Sequence, residues 1–502
     1  MHKKLIIILF LAFLIRLISL NQSLWLDEAV TANVVSNYSY SEIITKFSPT
    51  DFHPPLFYLV EKFWTNIFGY SEIALRFPSI IFSLITAWII YLIAEKLRGL
   101  KGLKELKGLG VWAAALFLFN PLIVYYSQEA RPYMLVTMFI TLIIYYLLAP
   151  RSSLERSGVK NSTKSNSSIR NYFLSWSRFA SAKSKSENNL YIRYFILFNI
   201  FVFLSLLTFY GSIFFIAAVY LFLLFKKQFR LLLMVLLGFV MAGILIYPLF
   251  IQQYINSKIA LSAVANWDLV LGQANLKNLL LIPIKFSIGR ISFEPKTIYW
   301  IISGAWTTYL FSLILRPKSN LVGYFSGGGL LWLFFVPLFL GFIVSFFIPV
   351  LRYFRFIFLL PLFVLLIALG TYKKQKNQPA RLVFWQRVVV LGGFIVFSLI
   401  YLLNPFYHRE DWKSLVKNLN LNAIYMIPSS SDPVKYYDKN VEIRDLKAID
   451  RLDLENEITV IPYTAEIHGV TYAETLEKLG YGLRSEKSYR EVKVETWILT
   501  NN

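Results

Sequence analysis

Acidic and basic side chains that could act on a substrate occur in short clusters between the apolar segments of this 502-residue chain. Asp27 and Glu28 form one adjacent pair, and Glu129 lies two residues before Arg131 in a second cluster. A positioned carboxylate can take the proton of a hydroxyl group, and a guanidinium can hold phosphate through two parallel hydrogen bonds. These residue types indicate transfer of a group from a phosphate leaving group to a hydroxyl acceptor.

Three further cations follow in later polar segments of the chain. Lys285 and Arg290 belong to one long polar stretch, and Arg352 stands beside Tyr353 just before an apolar segment. Cations in such positions can stabilise the negative charge that develops on a departing phosphate. Arg352 could instead extend its side chain to lipid headgroups, and the sequence leaves both interpretations open.

The acidic residues also have interpretations that involve no chemistry. Asp27 could cap a helix that begins at Glu28, because Asp is a preferred N-cap residue. Glu129 and Arg131 could form a local ion pair that anchors a short loop. Position in the chain alone does not decide between these roles and the catalytic ones.

Long apolar segments separate these clusters and must position them. A transmembrane helix needs about 20 apolar residues, and the chain contains about eleven such segments. We predict them at residues 5–20, 75–94, 110–125, 132–149, 191–208, 212–225, 231–250, 297–315, 328–348, 356–372 and 386–404. The sequence therefore predicts an α-helical polytopic membrane protein whose polar clusters lie in the loops.

The composition of the chain agrees with this class. Hydrophobic residues make up 56% of it and charged residues 16%, whereas soluble domains carry about 25% charged residues. The mean hydropathy is +0.54. Because the chain has no cysteine, disulfides, thiol catalysis and cysteine-based metal sites are excluded.

Lys and Arg concentrate in every second loop, which the positive-inside rule assigns to the cytoplasm. This pattern places the N-terminus with Lys3 and Lys4 inside, and the acidic clusters outside, in a multi-pass plasma-membrane protein. The Ser- and Lys-rich segment 151–188 is predicted to be a flexible cytoplasmic loop. The net charge of +22 then reflects topology, and we expect no nucleic-acid partner.

The chain divides into two predicted domains, residues 1–405 in the membrane and residues 406–502 outside it. The predicted outer loops include the first at residues 21–74, the second at 125–133, the fourth at 251–296 and the fifth at 349–355. In the first outer loop we predict interfacial amphipathic helices at 41–47 and 56–68. The C-terminal part is predicted to be a small extracytoplasmic α/β domain. Its predicted helix covers residues 410–421, and its predicted strands cover residues 423–427, 458–462 and 492–499.

Several motifs resemble those of the GT-C membrane glycosyltransferases, most closely the protein O-mannosyltransferase and aminoarabinose transferase group of glycosyltransferase family 39. The motifs lie at residues 24–29, 53–56, 72–79, 127–133 and 352–353, with a weaker match at 208–211. Their order is preserved across residues 1–405. The Ser- and Lys-rich segment 151–188 and the C-terminal domain are not part of the pattern.

The resemblance implies a GT-C fold, a polyprenyl-phosphate sugar donor and inversion at the anomeric carbon. It makes Asp27 the candidate catalytic base, and Glu28 its neighbour that positions the acceptor or the base. It places Glu129 and Arg131 near the phosphate and sugar of the donor, and Arg352 on the lipid phosphate. The other candidates for donor binding are Tyr133, Lys285 and Arg290.

Three further residues, the cofactors and the partners complete these expectations. His53, Tyr210 and Tyr353 are candidates for a structural role or for the acceptor site. No cofactor is required, although Asp and Glu near phosphate could hold a divalent cation. We expect three kinds of partner: the polyprenyl-phosphate sugar donor, an acceptor protein, lipid or glycan, and membrane lipids.

Two other functions fit a polytopic helical protein. A transporter or lipid flippase would carry ionisable residues near the bilayer midplane and often two repeated halves. Few charges, such as Arg16, lie within the predicted spans, and no internal repeat is evident. A non-catalytic membrane scaffold that presents the C-terminal domain is the second alternative.

Overall fold

Long apolar helices form most of the protein. The computed structural model describes residues 2–98, 106–148, 185–266, 271–315, 329–372, 380–419, 423–451 and 455–500. Six of the described helices have the length and apolar composition to cross a membrane, and four apolar helices are shorter. Most of segment 151–188, predicted to be a flexible loop, lies outside the described residues.

Each of the predicted membrane segments overlaps a helix. The helices that precede the C-terminal sheet include α1 (His2–Leu17), α2 (Leu26–Asn37), α3 (Leu56–Phe68), α4 (Glu72–Arg98), α5 (Leu109–Leu118), α6 (Pro121–Tyr126), α7 (Tyr133–Leu147), α8 (Lys185–Thr208), α9 (Ile213–Phe225), α10 (Phe229–Ala263), α11 (Leu276–Ile288), α12 (Lys296–Leu315), α13 (Gly329–Val344), α14 (Leu360–Tyr372) and α15 (Ala380–Leu403). Apolar side chains from most of these helices form one large buried cluster.

The third predicted segment is broken into two helices at Asn120. The side chain of Asn120 accepts hydrogen bonds from the backbone N–H groups of Leu122 and Ile123, at 3.0 and 3.2 Å, and so caps α6. Pro121 occupies the first position of α6, where its missing N–H costs nothing. The break directs the loop after Tyr126 toward the polar residues of the first outer loop.

Two elements of the predicted outer loops are more ordered than the sequence indicated. The first outer loop contains helix α2, and its predicted helix at 41–47 is one α-helical turn at Tyr40–Glu42 followed by a π-helical turn at Ile43–Phe47. Helix α10 continues past Pro248 to Ala263, beyond the segment predicted to cross the bilayer. Its last turns carry Gln253, which donates to the carbonyls of Ser48 and His53 at 2.7 and 3.0 Å.

The C-terminal part contains a five-stranded sheet of order β2-β1-β3-β5-β4. Its strands are β1 (Ala423–Met426), β2 (Glu442–Asp445), β3 (Glu457–Val460), β4 (Tyr481–Tyr489) and β5 (Val492–Leu499). Strand β1 runs parallel to β2 and β3, and β5 runs antiparallel to β3 and β4. The sequence prediction missed β2 and β4 because both strands are largely exposed and polar.

Three short helices accompany the sheet: α16 (Trp412–Lys417), α17 (Asp432–Tyr437) and α18 (Tyr472–Lys478). Helix α16 is shorter than the predicted helix at 410–421, because Asp411 caps it by accepting a hydrogen bond from the N–H of Ser414 at 3.1 Å. The domain is fixed to the helical part by polar contacts. The hydroxyl of Tyr437 accepts from the N–H of Leu24 at 2.9 Å.

Candidate active site

Asp27 lies in the first turn of α2, and its Oδ2 atom is 3.1 Å from Nη2 of Arg131. The Asp27 side chain is 37% exposed, whereas that of Arg131 is 6% exposed. The N-cap position of α2 belongs to Trp25, and no side chain caps the helix there. The interpretation of Asp27 as a helix cap is therefore wrong, and its carboxylate is left facing accessible space.

Glu28 turns to the opposite side of α2 and is 1% exposed. Its two carboxylate oxygens accept from Nε and Nη2 of Arg76 at 2.8 and 2.5 Å, and Oε1 also accepts from the N–H of Ala130 at 2.9 Å. Arg76 further donates to carbonyls in the segment between α1 and α2. Glu28 thus connects three parts of the chain: its own helix α2, the second outer loop at Ala130, and helix α4 at Arg76.

A second carboxylate near Arg131, Asp51, was missed in the sequence analysis. Its Oδ2 atom accepts from the hydroxyl of Tyr58 at 2.8 Å and lies 3.5 Å from Nδ1 of His53. Burial raises the pKa of Asp51, but His53 and Arg131 lower it by more, so it lies below its ordinary value. The only signal in the sequence was an acidic residue two positions before the His-Pro-Pro turn.

Tyr125, at the end of α6, is the centre of a second polar cluster, which we call the Tyr125 cluster and which also contains Arg290, Arg409 and Glu129. Its hydroxyl accepts from Nη1 of Arg290 and from Nε of Arg409. Nη2 of Arg409 lies 3.4 Å from Oε1 of Glu129, and the guanidinium of Arg409 stacks on the ring of Trp25 at 3.7 Å. The predicted residues Glu129 and Arg290 are therefore neighbours.

Arg409 was missed because it follows the last membrane helix, in the segment assigned to the soluble domain. No motif or apolar pattern marks it, and only the return of the chain to the first outer loop brings it into the site. The hydrogen bond from the Nε of Arg490 to its backbone carbonyl, at 2.6 Å, fixes its position. A basic residue a few positions after a predicted helix end was the sole sequence signal.

One of the two arginines of the Tyr125 cluster has no ion-pair partner among the residues that the structure describes. Arg409 pairs with Glu129, whereas Arg290 has no carboxylate within ion-pair distance in that part of the chain. Burial raises the pKa of Glu129, and Arg409 partly offsets this effect. Partly buried guanidinium groups without anionic partners are unfavourable alone, and a phosphate would satisfy them through paired hydrogen bonds.

The fifth outer loop reaches the same region through its aromatic residues. The Tyr133 ring packs edge to face against Tyr126 and Phe354, with centroids 5.0 and 5.9 Å apart. Arg352 is partly buried, and a Cβ atom added at Gly272 would lie 2.6 Å from its Cγ atom. Gly272, which has a φ of +91°, thus permits the close approach of the fourth and fifth loops.

Four further predicted residues contact the loops around these two clusters. The ammonium of Lys285 lies 3.2 Å from the hydroxyl of Tyr299 and near the carbonyl of Arg290 at 3.5 Å, and burial lowers its pKa to about 8. The hydroxyl of Tyr210 donates to Gln253 at 2.6 Å. The His53 ring stacks on Phe209, and Tyr353 contacts Phe354.

The sequence requires no metal centre, although Asp and Glu near a phosphate could hold a divalent cation. Within the described part of the chain, no three His, Asp or Glu side chains gather in a way that could hold a metal ion. Asp27 and Asp51 instead face the guanidinium of Arg131 or the Tyr58 hydroxyl. These residues therefore do not fit a bound cation in this arrangement.

Comparisons with known proteins agree with the motifs. Residues 52–151 match the family described as dolichyl-phosphate-mannose-protein mannosyltransferase. The crystal structure of ArnT from Cupriavidus metallidurans in the apo state is 11% identical, with a TM-score of 0.54, and the alignment covers 98% of this chain and 97% of that one. The same protein bound to undecaprenyl phosphate has a TM-score of 0.53 at 10% identity, with the same coverage.

An oligosaccharyltransferase from Archaeoglobus fulgidus, in complex with Zn and sulfate, is also similar. It is 11% identical with a TM-score of 0.54, and the alignment covers 95% of this chain and 71% of that one. No sequence among the curated proteins matches the chain. These likenesses show that the chain has the fold of the GT-C membrane glycosyltransferases, as its motifs predicted.

Proposed function

We propose that the protein is a membrane glycosyltransferase that moves a sugar from a polyprenyl-phosphate donor to an acceptor hydroxyl. One observation carries this proposal: the accessible carboxylate of Asp27 is held by the buried Arg131, and the nearby hydroxyl of Tyr125 is held by two arginines, Arg290 and Arg409. The fold of the chain, shared with a protein that binds undecaprenyl phosphate, supports the same reaction.

In the proposed reaction, Asp27 takes the proton of the acceptor hydroxyl as the acceptor oxygen attacks the anomeric carbon. The bond from that carbon to the phosphate oxygen breaks, and lipid phosphate leaves. Attack opposite the leaving group inverts the anomeric configuration. Arg290 and Arg409 stabilise the charge on the departing phosphate, while Arg131 keeps Asp27 in place.

The other candidate residues have supporting roles in this proposal. Glu28, paired with Arg76, positions the helix that carries Asp27. Glu129 orients Arg409, and Arg352 binds the lipid phosphate from the fifth loop. Tyr133 packs beside the donor sugar, and Lys285 holds the loop that carries Arg290. His53, Tyr210 and Tyr353 are structural.

The orientation of the chain is also part of the proposal. Because basic residues concentrate in alternate loops, we place the N-terminus in the cytoplasm and the active site on the extracytoplasmic face. Residues 1–405 form the membrane domain, and residues 406–502 form an external domain that covers the site. The polyprenyl chain of the donor then lies in the bilayer beside the helices.

The substitution Asp27→Asn tests the proposal because it keeps the shape of the side chain and removes the base. With undecaprenyl-phosphate-linked and dolichyl-phosphate-linked radiolabelled mannose as probes, we expect release of free lipid phosphate to fall by about 10² to 10⁴-fold. Surface glycans of a deletion strain, measured by mass spectrometry, should not be restored by this variant. Glu294→Gln, at an exposed ion pair of the fourth outer loop, is the matched control.

Two results would contradict the proposal. Full activity of Asp27→Asn would remove Asp27 from the role of base. A deletion strain with unchanged surface glycans would contradict the transferase function. Absence of lipid-phosphate release from both probes would instead agree with a transporter or a scaffold.

A further inference from the structure

Glu410, the residue after Arg409, has a buried carboxylate with one unused oxygen. Glu410 is 6% exposed, and its Oε1 atom accepts a hydrogen bond from the hydroxyl of Tyr463 at 2.9 Å. Oε2 is buried and has no hydrogen-bond partner among the residues that the structure describes. A buried polar atom without a partner is costly, so this oxygen indicates a ligand that completes its hydrogen bonding.

The segment that carries this carboxylate contacts the chain just before the candidate base, because the N–H of Lys413 donates to the hydroxyl of Ser23 at 3.1 Å. Burial is the main cause of the raised pKa of the Tyr463 phenol, and the charges of Glu410 and Asp27 add to it. The same phenol ring packs edge to face on Trp412, at 4.9 Å between centroids. Glu410 is also close enough to Arg409 for the charges of the two groups to interact. The unused oxygen therefore belongs to a segment that adjoins both the arginine cluster and the residues just before Asp27, since Arg409 stacks on Trp25.

The segments that carry Glu410 and Tyr463 are fixed on both sides. The N–H of Asp411 donates to the carbonyl of Arg490 at 3.0 Å, which holds the Glu410 segment against the turn between β4 and β5. The N–H of Asn266, after α10, donates to the carbonyl of Ile467 at 3.0 Å. The C-terminal domain thus forms a preorganised wall of the site, opposite the membrane helices.

We propose that Glu410 and Tyr463 form the acceptor side of this site, where the free oxygen of Glu410 accepts a hydrogen bond from a hydroxyl or amino group of the acceptor. Tyr463 is a positioning residue, because it orients the carboxylate and borders the space above Asp27. The inference rests on the proposed function. It adds that the acceptor is recognised by the C-terminal domain and must present a hydrogen-bond donor near the hydroxyl that is glycosylated.

The test separates acceptor recognition from donor binding in the full-length protein. Glu410→Gln and Tyr463→Phe keep the volume of each side chain. Undecaprenyl phosphate and dolichyl phosphate are titrated onto the purified variants in lipid nanodiscs, and surface glycans are quantified by mass spectrometry after complementation of the deletion strain. Tyr472→Phe is the matched control, because Tyr472 donates to Glu495 at 3.0 Å elsewhere in the same domain.

We expect both variants to bind lipid phosphate within about twofold of the wild type, and to lower the glycan signal about tenfold or more, as for loss of a hydrogen bond to a charged group. Tyr472→Phe should change neither quantity. Lipid-phosphate affinity that falls in Glu410→Gln would assign Glu410 to the donor side and overturn the inference.

Unchanged glycans in Glu410→Gln, with glycans lost in Asp27→Asn, would overturn the inference while the proposed transferase function stands. Glycans that survive deletion of the gene would refute the transferase function and the acceptor site together. The two failures are therefore distinguishable in one set of strains.

Discussion

Two adjacent carboxylates on helix α2, Asp27 and Glu28, each pair with an arginine, yet the two pairs differ in how complete they are. Glu28 and Arg76 are both 1% exposed, and their oxygens and nitrogens are engaged with each other and with backbone groups. Asp27 is 37% exposed, and Nε of its buried partner Arg131 has no hydrogen-bond partner.

The two pairs differ in how completely their polar atoms are hydrogen-bonded. The Glu28–Arg76 pair supports the fold, whereas the Asp27–Arg131 pair belongs to the candidate active site. A buried ion pair tolerates its desolvation only when further hydrogen bonds satisfy both groups, and the Glu28–Arg76 pair meets this condition within the fold. Among the described residues, Arg131, which pairs with Asp27, and Glu129 and Glu410, which lie near Arg409, instead each keep a polar atom without a partner. These are the atoms that a substrate would satisfy.

The largest expected effect breaks the Glu28–Arg76 pair. Arg76→Ala leaves the buried carboxylate of Glu28 without its partner, and removal of one member of a buried pair costs about 3–5 kcal/mol of folding free energy. Asp27→Asn should cost at most about 1 kcal/mol, because its pair is partly exposed. Denaturant unfolding of both variants in detergent measures the difference in folding free energy. Equal losses of stability would contradict the different roles assigned to the two ion pairs.

The next effect concerns the arginine cluster, which we group with Asp27. Arg409→Gln should weaken binding of undecaprenyl phosphate by about tenfold or more, since a hydrogen bond to a charged group contributes about 1.5–3 kcal/mol. Its midpoint of thermal unfolding should fall less than that of Arg76→Ala, because Arg409 is partly exposed whereas Arg76 is buried. Arg484→Gln, on the exposed strand β4, is the control, and an equal loss of affinity there would indicate a nonspecific charge effect.

Glu61 of α3 extends the comparison to a buried carboxyl without a hydrogen-bond partner in the described part of the chain. It is 1% exposed, and neither carboxyl oxygen has a hydrogen bond to a described residue. Burial, aided by the charge of Glu28, raises its pKa well above the ordinary value. The folded protein then binds a proton that the unfolded chain has lost above about pH 4.3. Stability therefore falls as pH rises from there toward the folded pKa.

Glu61→Leu should remove that slope and stabilise the protein by about 1–3 kcal/mol near neutral pH, the cost of an unsatisfied buried polar group. Unfolding midpoints of wild type and variant between pH 5 and 8 provide the measurement. A variant that keeps the wild-type slope, or that loses stability at pH 7, would show that Glu61 has a partner or a charge in the folded protein.

The smallest effect is expected for an exposed pair of the same outer loop, Lys46 and Glu42, whose side chains are 66% and 36% exposed. Lys46→Ala should leave both the unfolding midpoint and glycan transfer unchanged, because exposed ion pairs are screened by water and salt. A clear shift in either quantity would mean that exposure does not rank these pairs.

Much of the fold was predictable, because its signals are local. Apolar runs of bilayer length predicted the membrane helices, and short apolar runs predicted β1, β3 and β5. The prediction failed for strands β2 and β4, because their exposed polar residues give no apolar pattern that marks a strand. It was also weak for α2, whose apolar and polar residues give no clear amphipathic face.

The sequence by itself determined the class of protein, the outer clusters of charge, and Asp27 as the leading candidate base. Only the tertiary structure decided which charges meet: Glu28 with Arg76, Asp27 with Arg131, and Glu129 with Arg409 from beyond the last membrane helix. Hydropathy and helix signals depend on neighbours along the chain. Partnership between charges depends on distances of a few ångströms between segments separated by up to hundreds of residues, which packing alone sets.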